Sequence, residues 1–353
     1  TKPSSEIDMW QVVSGIGVLS EVVAIRKRRP HLSVRLSSEA QRRGSAVVGR
    51  ACGLLLTGED RHRMVDRPAG QLTSGHTMRS LSTSAGRLAV RDQGSGPPVV
   101  LLHATLHDHR DFDPIVPALA DSHRVIAIDW PGHGASEPPR PGTVADGPLF
   151  ARVLEDVVGA LDLGPAVLIG NSVGGFAAGR LAIERPELVA GLVLVNAGGF
   201  STQNAITRTF CRVMGMPRVT RRVLPRMVRS YMKPRTDHDR ALTERVQTRA
   251  KSEAGARTAA GLWRSFASPE YDLRARASEI TAPTLLVWGS RDTVLPMRAG
   301  RQTQKAIPGS RLESLPTGHV VFSSDPEGFL ALVLPFIDRA FAGARPPAPA
   351  RRS

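Results

Sequence analysis

Five short stretches dominated by apolar residues recur along this 353-residue chain, at positions 99–102, 124–129, 166–169, 191–195 and 283–288. None alternates with polar residues as a half-solvated strand would, so each reads as a strand buried on both faces of a sheet. Between them the period changes. Apolar residues at 149, 150, 153, 154, 157, 158 and 161 follow helical spacing from Leu149 to Leu161. Further helices are expected over Phe112–Ala120, Gly175–Glu184, 297–306 and 326–341. Strands are expected over Arg87–Arg91, ahead of the Gly94-Ser95-Gly96-Pro97-Pro98 turn, and over 311–315. Strands alternating with helices predict an α/β fold, a mostly parallel central sheet with helices on both faces.

Two regions break that rhythm. Residues 200–275 are helix-like and Arg-rich, punctuated by Pro217, Pro225 and Pro234, and read as a helical insertion. Residues 1–77 show little periodicity and are rich in Arg, Ser and Gly, the mark of a disordered basic arm. The apolar run Met9–Ile25 within the arm is short for a membrane span and is interrupted by Gln11, Ser14, Ser20 and Glu21. Its positive cluster follows the run, the reverse of a secretory signal. The expected division is an arm over 1–77, a core in two parts over 78–199 and 276–341, the insertion over 200–275, and a disordered tail over 342–353. A functional start near Met78 is also expected.

Charge refines the picture only in its placement. The net charge is +15, and 200–275 holds 16 Lys and Arg against 6 Asp and Glu. By composition Arg outnumbers Lys 42 to 5, which points to codon bias rather than selection for charge. The basic segment lacks interleaved aromatics, so no nucleic-acid partner is expected; contact with a membrane surface stays open. Cys52 and Cys211 lie far apart and form no disulfide framework, which favours a reducing, cytoplasmic location. Oligomeric state is not readable.

The chemistry centres on Gly170-Asn171-Ser172-Val173-Gly174, which follows the strand at 166–169 and opens a helix. A strand–turn–helix around G-x-S-x-G lifts the serine hydroxyl above the sheet, and Gly170 and Gly174 leave room for the sharp turn. Ser290-Arg291-Asp292 follows a later strand, and Gly318-His319-Val320 lies in a loop after the last one. A serine needs a base in hydrogen-bond reach, and that base needs an orienting acid. Ser172, His319 and Asp292 are the candidates. Asn196, which ends the apolar run at 191–195, carries no charge; in some members of the family that the next motifs resemble, the acid stands at that place. His103 and His107 raise a metal reading, but no helical face holds them together, and no metal is expected.

In the order Ser172, Asp292, His319, with Asp129-Trp130-Pro131-Gly132-His133-Gly134-Ala135-Ser136 after an early strand, residues 88–341 resemble an α/β-hydrolase. The resemblance implies that the insertion is a helical cap and that no cofactor is needed. It implies an oxyanion hole formed by the backbone N–H groups of Val173 and of Thr105, after His103-Ala104. The family usually has glycine at the place of Ala104, and a Cβ there costs free energy if the turn needs a positive φ. Relatives that open epoxides or displace halide carry aspartate at the elbow. Serine therefore implies an acyl-enzyme and cleavage of a carboxylic ester, thioester or lactone in a small-molecule acyl substrate. Asn171 with Gly174-Gly175 also resembles the elbow of C–C bond hydrolases, the second reading; a slow-turnover ligand receptor of the same fold is the third. Asn171, Trp263 and Phe266 are candidate pocket residues, along with Phe210, Met214, Met216, Met227, Tyr231 and Met232.

Overall fold

The computed structural model describes residues 77–343. Residues 1–76 of the expected arm, its apolar run Met9–Ile25, Cys52 and residues 344–353 of the expected tail lie outside the described residues. Eight strands form one sheet: β1 (Thr77–Thr83), β2 (Gly86–Gln93), β3 (Pro98–Leu102), β4 (Arg124–Ile128), β5 (Ala166–Asn171), β6 (Val189–Val195), β7 (Thr284–Gly289) and β8 (Arg311–Leu315). Their order is β1-β2-β4-β3-β5-β6-β7-β8. β1 and β2 pair antiparallel, as do β2 and β4, and every other pairing is parallel.

The apolar runs have the cause read from their pattern. Every residue of β5, β6 and β7 is buried, because these central strands carry helices on both faces. The edge strands differ. β8 has no fully buried residue, and β1, mostly exposed and polar, gives no apolar signal in the sequence. It is held instead by a seven-residue register with β2, from Thr77 opposite Asp92 to Thr83 opposite Gly86.

The helices flanking the sheet are α1 (Val116–Ala120), α2 (Gly147–Ala160), α3 (Val173–Glu184), α8 (Met297–Ala306), α9 (Val321–Ser324) and α10 (Pro326–Gly343). The helix expected over Phe112–Ala120 is broken into a 3₁₀ turn at His109–Phe112 and the short α1. Pro114 and Pro117 have no N–H, so the i→i−4 bonds back to Arg110 and Asp113 cannot form. The Ile115 N–H bonds Phe112 O instead.

Four helices fill the segment between β6 and β7: α4 (Ala205–Met214), α5 (Pro217–Met232), α6 (Asp237–Lys251) and α7 (Glu253–Phe266). Asn204, Thr236 and Ser252 cap α4, α6 and α7 with side-chain oxygens. Pro217 opens α5 and Pro234 follows it, as punctuation should, but Pro225 lies inside the helix. The lost backbone bond is outweighed by packing, since Val223, Leu224, Val228, Tyr231 and Met232 of α5 are buried. An aromatic ladder ties this block to the core. Phe210 meets Trp263, Trp263 meets Phe266, Phe266 meets Tyr271, and Tyr271 stacks on Phe176 of α3 at 4.2 Å.

Candidate active site

Ser172 sits between β5 and α3 with φ 56° and ψ −114°, a conformation L residues rarely adopt and one that persists only where its surroundings hold it. Here they do. The Ser172 N–H bonds Val195 O at 3.1 Å, and Ser172 O accepts the N–H groups of Gly198 and Phe176. The flanking glycines are required by space: a Cβ at Gly174 would lie 2.3 Å from Leu102 O, and one at Gly170 would lie 2.5 Å from Gly174 O. Serine at a helix N-cap ordinarily accepts a hydrogen bond from the first turn, as Asp146, Asn204, Thr236 and Ser252 do in this molecule. Ser172 does not. Its backbone is fully engaged and its hydroxyl is left uncommitted.

Asp292 and His319 are brought together. His319 Nδ1 lies 2.6 Å from Asp292 Oδ2, with Asp292 4% and His319 3% exposed. The other carboxylate oxygen accepts the N–H groups of Val294 (2.7 Å) and Leu295 (3.2 Å). One oxygen thus caps the following turn and the other holds the imidazole. Asn196, at the end of β6 with φ 41°, adds a donor that sequence reasoning overlooked. Its Nδ2 bonds Asp292 Oδ2, while its Oδ1 accepts the Gly289 N–H at 2.8 Å. Its signal in the sequence is an amide directly after an otherwise apolar strand.

The elbow and the histidine loop are joined by Asn171. Fully buried, it donates from Nδ2 to Val195 O and to His319 O, both at 3.0 Å. The Nδ2 thus ties the end of β6 to the histidine loop, while Oδ1 is buried with no partner among the described residues. Trp263 and Phe266 belong to the aromatic ladder, and Met216 is 51% exposed. Tyr231 of the insertion reaches His319. Its ring meets His319 edge-on at 5.4 Å, its carbonyl accepts the His319 N–H at 2.9 Å, and its hydroxyl lies 3.5 Å from His107 Nε2. Gly318 permits this approach, because a Cβ there would lie 2.2 Å from Met232 O.

The loop after β3 forms a turn closed by the His107 N–H on Ala104 O at 3.2 Å. Ala104 has no positive φ; the left-handed residue is Leu106, at 65°. The strain expected at Ala104 therefore falls two residues later, on a leucine. Arg249 of α6 holds the loop there, bonding Leu106 O, His107 O at 2.7 Å and Asp108 Oδ2 at 3.1 Å. Nothing in the sequence distinguishes Arg249 from its 15 basic neighbours in 200–275. Among the described residues the N–H groups of Val173 and Thr105 have no partner: Val173 is the first residue of α3, and Thr105 lies inside the turn. The Thr105 hydroxyl is likewise buried and unpaired.

Four histidines lie near this loop, three of them buried and His109 partly so, and each faces a protein partner. His103 Nε2 accepts the Trp130 N–H at 3.1 Å, so its Nδ1 donates to Ala104 O at 2.7 Å. His107 pairs with Asp111 at 2.7 Å. His109 pairs with Asp129. His133 Nδ1 faces Pro131 O, while its Nε2 has no partner. Burial lowers the pKa of His103, against the pull of Asp129, and lowers that of His133 further, where the charge of His103 adds to it. Depressed histidines contribute stability that is whole above the unfolded value of about 6.5 and is lost as pH falls below it. The expected result is a melting temperature that declines between about pH 7 and 5, less steeply in His133→Gln. Parallel curves for variant and wild type would assign the decline elsewhere.

An eight-stranded sheet carrying a strained serine on a strand–turn–helix, with an Asp–His pair beyond it, defines a class. The alpha/beta hydrolase fold family model matches residues 97–326, and the chain belongs to that family. It is a hydrolase by that membership. A 2-hydroxy-6-oxononadienedioate/2-hydroxy-6-oxononatrienedioate hydrolase of Klebsiella pneumoniae is 31% identical over 289 residues, 76% of this chain and 98% of that protein. Haloalkane dehalogenase 2 of Mycobacterium tuberculosis is 28% identical over 267 residues, 72% of this chain and 93% of that one. Among solved structures, an esterase from Exiguobacterium antarcticum superposes with a TM-score of 0.64 at 24% identity, covering 74% of this chain and all of its own. That last likeness concerns the fold alone.

Proposed function

We propose that the protein is a cofactor-independent serine hydrolase that cleaves a carboxylic ester, thioester or lactone through an acyl-enzyme. The observation that carries this reading is the Ser172 hydroxyl, at a helix N-cap but not capping, with its backbone locked at φ 56°. Ser172 Oγ attacks the acyl carbon as His319 Nε2 takes its proton. With Nδ1 held by Asp292, Nε2 is the nitrogen left for that task. Asp292 fixes the tautomer and stabilises the imidazolium. The developing oxyanion is received by the N–H groups of Val173 and Thr105. His319 then protonates the leaving alcohol, and a water activated by the same base releases the acid.

The test is burst and steady-state hydrolysis of p-nitrophenyl acetate, butyrate and octanoate. A burst followed by steady turnover supports the acyl-enzyme, and absence of turnover on every ester would reject it. The C–C bond reading is supported by the Asn171-Ser172 elbow with Gly174-Gly175 and by the 31% identity to the Klebsiella hydrolase. A 2-hydroxy-6-oxo-dienedioate assayed in parallel separates the two. Ligand-induced melting shifts without turnover on either substrate would favour the receptor.

Arg249 gives this reading a check remote from the triad. Its bonds to Leu106 O and His107 O hold the turn that contains Thr105. Loss of a whole oxyanion donor costs ~10²–10³ in kcat, so a displaced one should cost roughly 10- to 10²-fold. Arg249→Ala is expected to lower kcat by that amount with a smaller change in KM, and Arg249→Lys to recover part of it. An unchanged kcat would detach the loop from the chemistry.

A further inference from the structure

From residue 188 to residue 236 the chain has no Asp or Glu, yet it carries nine basic residues: Arg208, Arg212, Arg218, Arg221, Arg222, Arg226, Arg229, Lys233 and Arg235. Codon bias explains Arg in place of Lys but not the loss of every acid over 49 residues. The structure shows where these charges go. All nine are exposed, and Arg218, Arg221, Arg222, Arg226 and Arg229 share the outer side of α5, opposite its buried face. The ion pairs among the described residues include none of the nine. Their side-chain hydrogen bonds, where made, go to backbone carbonyls, as Arg208 to Gln203 O, Arg221 to Lys251 O, Arg226 to Arg222 O and Arg235 to Pro316 O.

A second feature lies beside the charge. Among the described residues four large apolar side chains are exposed, and two of them lie beside or within this basic run: Ile206 at the start of α4, 63% exposed, and Met216 at the α4–α5 junction, 51% exposed. The first five residues of α4, Ala205 to Thr209, are all exposed. Exposed cations along α5, with Met216 at its N-terminus and Ile206 at the start of the preceding helix, are the two components of interfacial membrane binding, electrostatic attraction plus shallow insertion. A phosphate backbone would use the arginines and leave Ile206 and Met216 in water. No helix among the described residues is long and apolar enough to cross a bilayer.

We propose that the α4–α5 face of the insertion docks on a lipid surface rich in anionic headgroups, with arginines of α5 on the headgroups and Ile206 and Met216 at the acyl boundary. The proposal does not depend on which bond the enzyme cleaves. It does bear on access, because the last turn of α5 touches His319 through Tyr231.

The test is co-sedimentation of the full-length protein with vesicles of phosphatidylcholine alone or mixed with phosphatidylglycerol, over a range of salt. The protein is expected on the mixed vesicles only, and release is expected as salt rises. Arg218→Glu/Arg222→Glu/Arg229→Glu should reduce the bound fraction at least ~10-fold. Ile206→Ser/Met216→Ser should reduce it severalfold on vesicles while leaving retention on heparin unchanged. Both variants keep the active-site residues, so their folding is verified by circular dichroism and thermal melting. Wild type that fails to sediment, or a charge-reversed variant that binds like wild type, overturns the proposal. So does an apolar variant with unaltered vesicle binding, with heparin or duplex DNA competing fully, which would make the face a polyanion site.

Discussion

Ser172→Ala is expected to abolish turnover, with kcat falling by at least ~10⁴ and no burst on any p-nitrophenyl ester. Removing the nucleophile of a serine triad costs about 10⁶ in kcat, and what remains comes from the oxyanion hole and binding. Two features make the effect interpretable here. The Ser172 side chain makes no cap bond, so its loss removes no structural hydrogen bond. Alanine must still adopt φ 56°, at a cost of order 1–3 kcal/mol for a strained non-Gly residue that serine already bears. Melting should therefore move little while turnover disappears. Activity above a tenth of wild type would mean that another group does the chemistry.

Asp292→Asn should have the next largest effect, a loss of about 10⁴ in kcat. The reason is specific to this site. Asp292 Oδ2 accepts from both His319 Nδ1 and Asn196 Nδ2, and Oδ1 accepts two backbone N–H groups. An amide that keeps its oxygen on the backbone donors turns its NH₂ toward two further donors. His319 must then flip tautomer or lose its partner, and Asn196 is left with a buried unpaired N–H. Asn196→Ala is predicted to be milder, since one donor is removed and the imidazole bond stays. If Asp292→Asn and wild type had equal kcat, the dyad would have no role in turnover.

Much of this was legible in the chain before folding, for a physical reason. Strands buried on both faces must be apolar throughout, so β3, β5, β6 and β7 announce themselves. A sharp strand–turn–helix needs small residues at fixed places, so Gly170 and Gly174 mark Ser172. Asp292 and His319 were readable from their places after β7 and β8, and the structure joins them at 2.6 Å. What was not legible depends on tertiary partners. β1 is an edge strand whose polar side chains carry no periodic signal. The positive φ of Leu106 rather than Ala104 follows from a turn held by Arg249, 143 residues away along the chain. The bonds from Asn171 Nδ2 to Val195 O and His319 O join residues 24 and 148 positions away, which no local pattern shows.

The bond from the His319 N–H to the carbonyl of Tyr231 has a consequence for how such an enzyme can diversify. The insertion is not an exchangeable module laid over a finished core. Its α5 supplies the acceptor for the backbone of the residue proposed as the base, and its last turn lies so close to Gly318 that any side chain there would collide with it. Grafting a foreign insertion between β6 and β7 would strip that support from the histidine loop even if every core residue were kept. Recombination with a relative should succeed only when the C-terminal turn of α5 and the Gly318-His319 loop are inherited together.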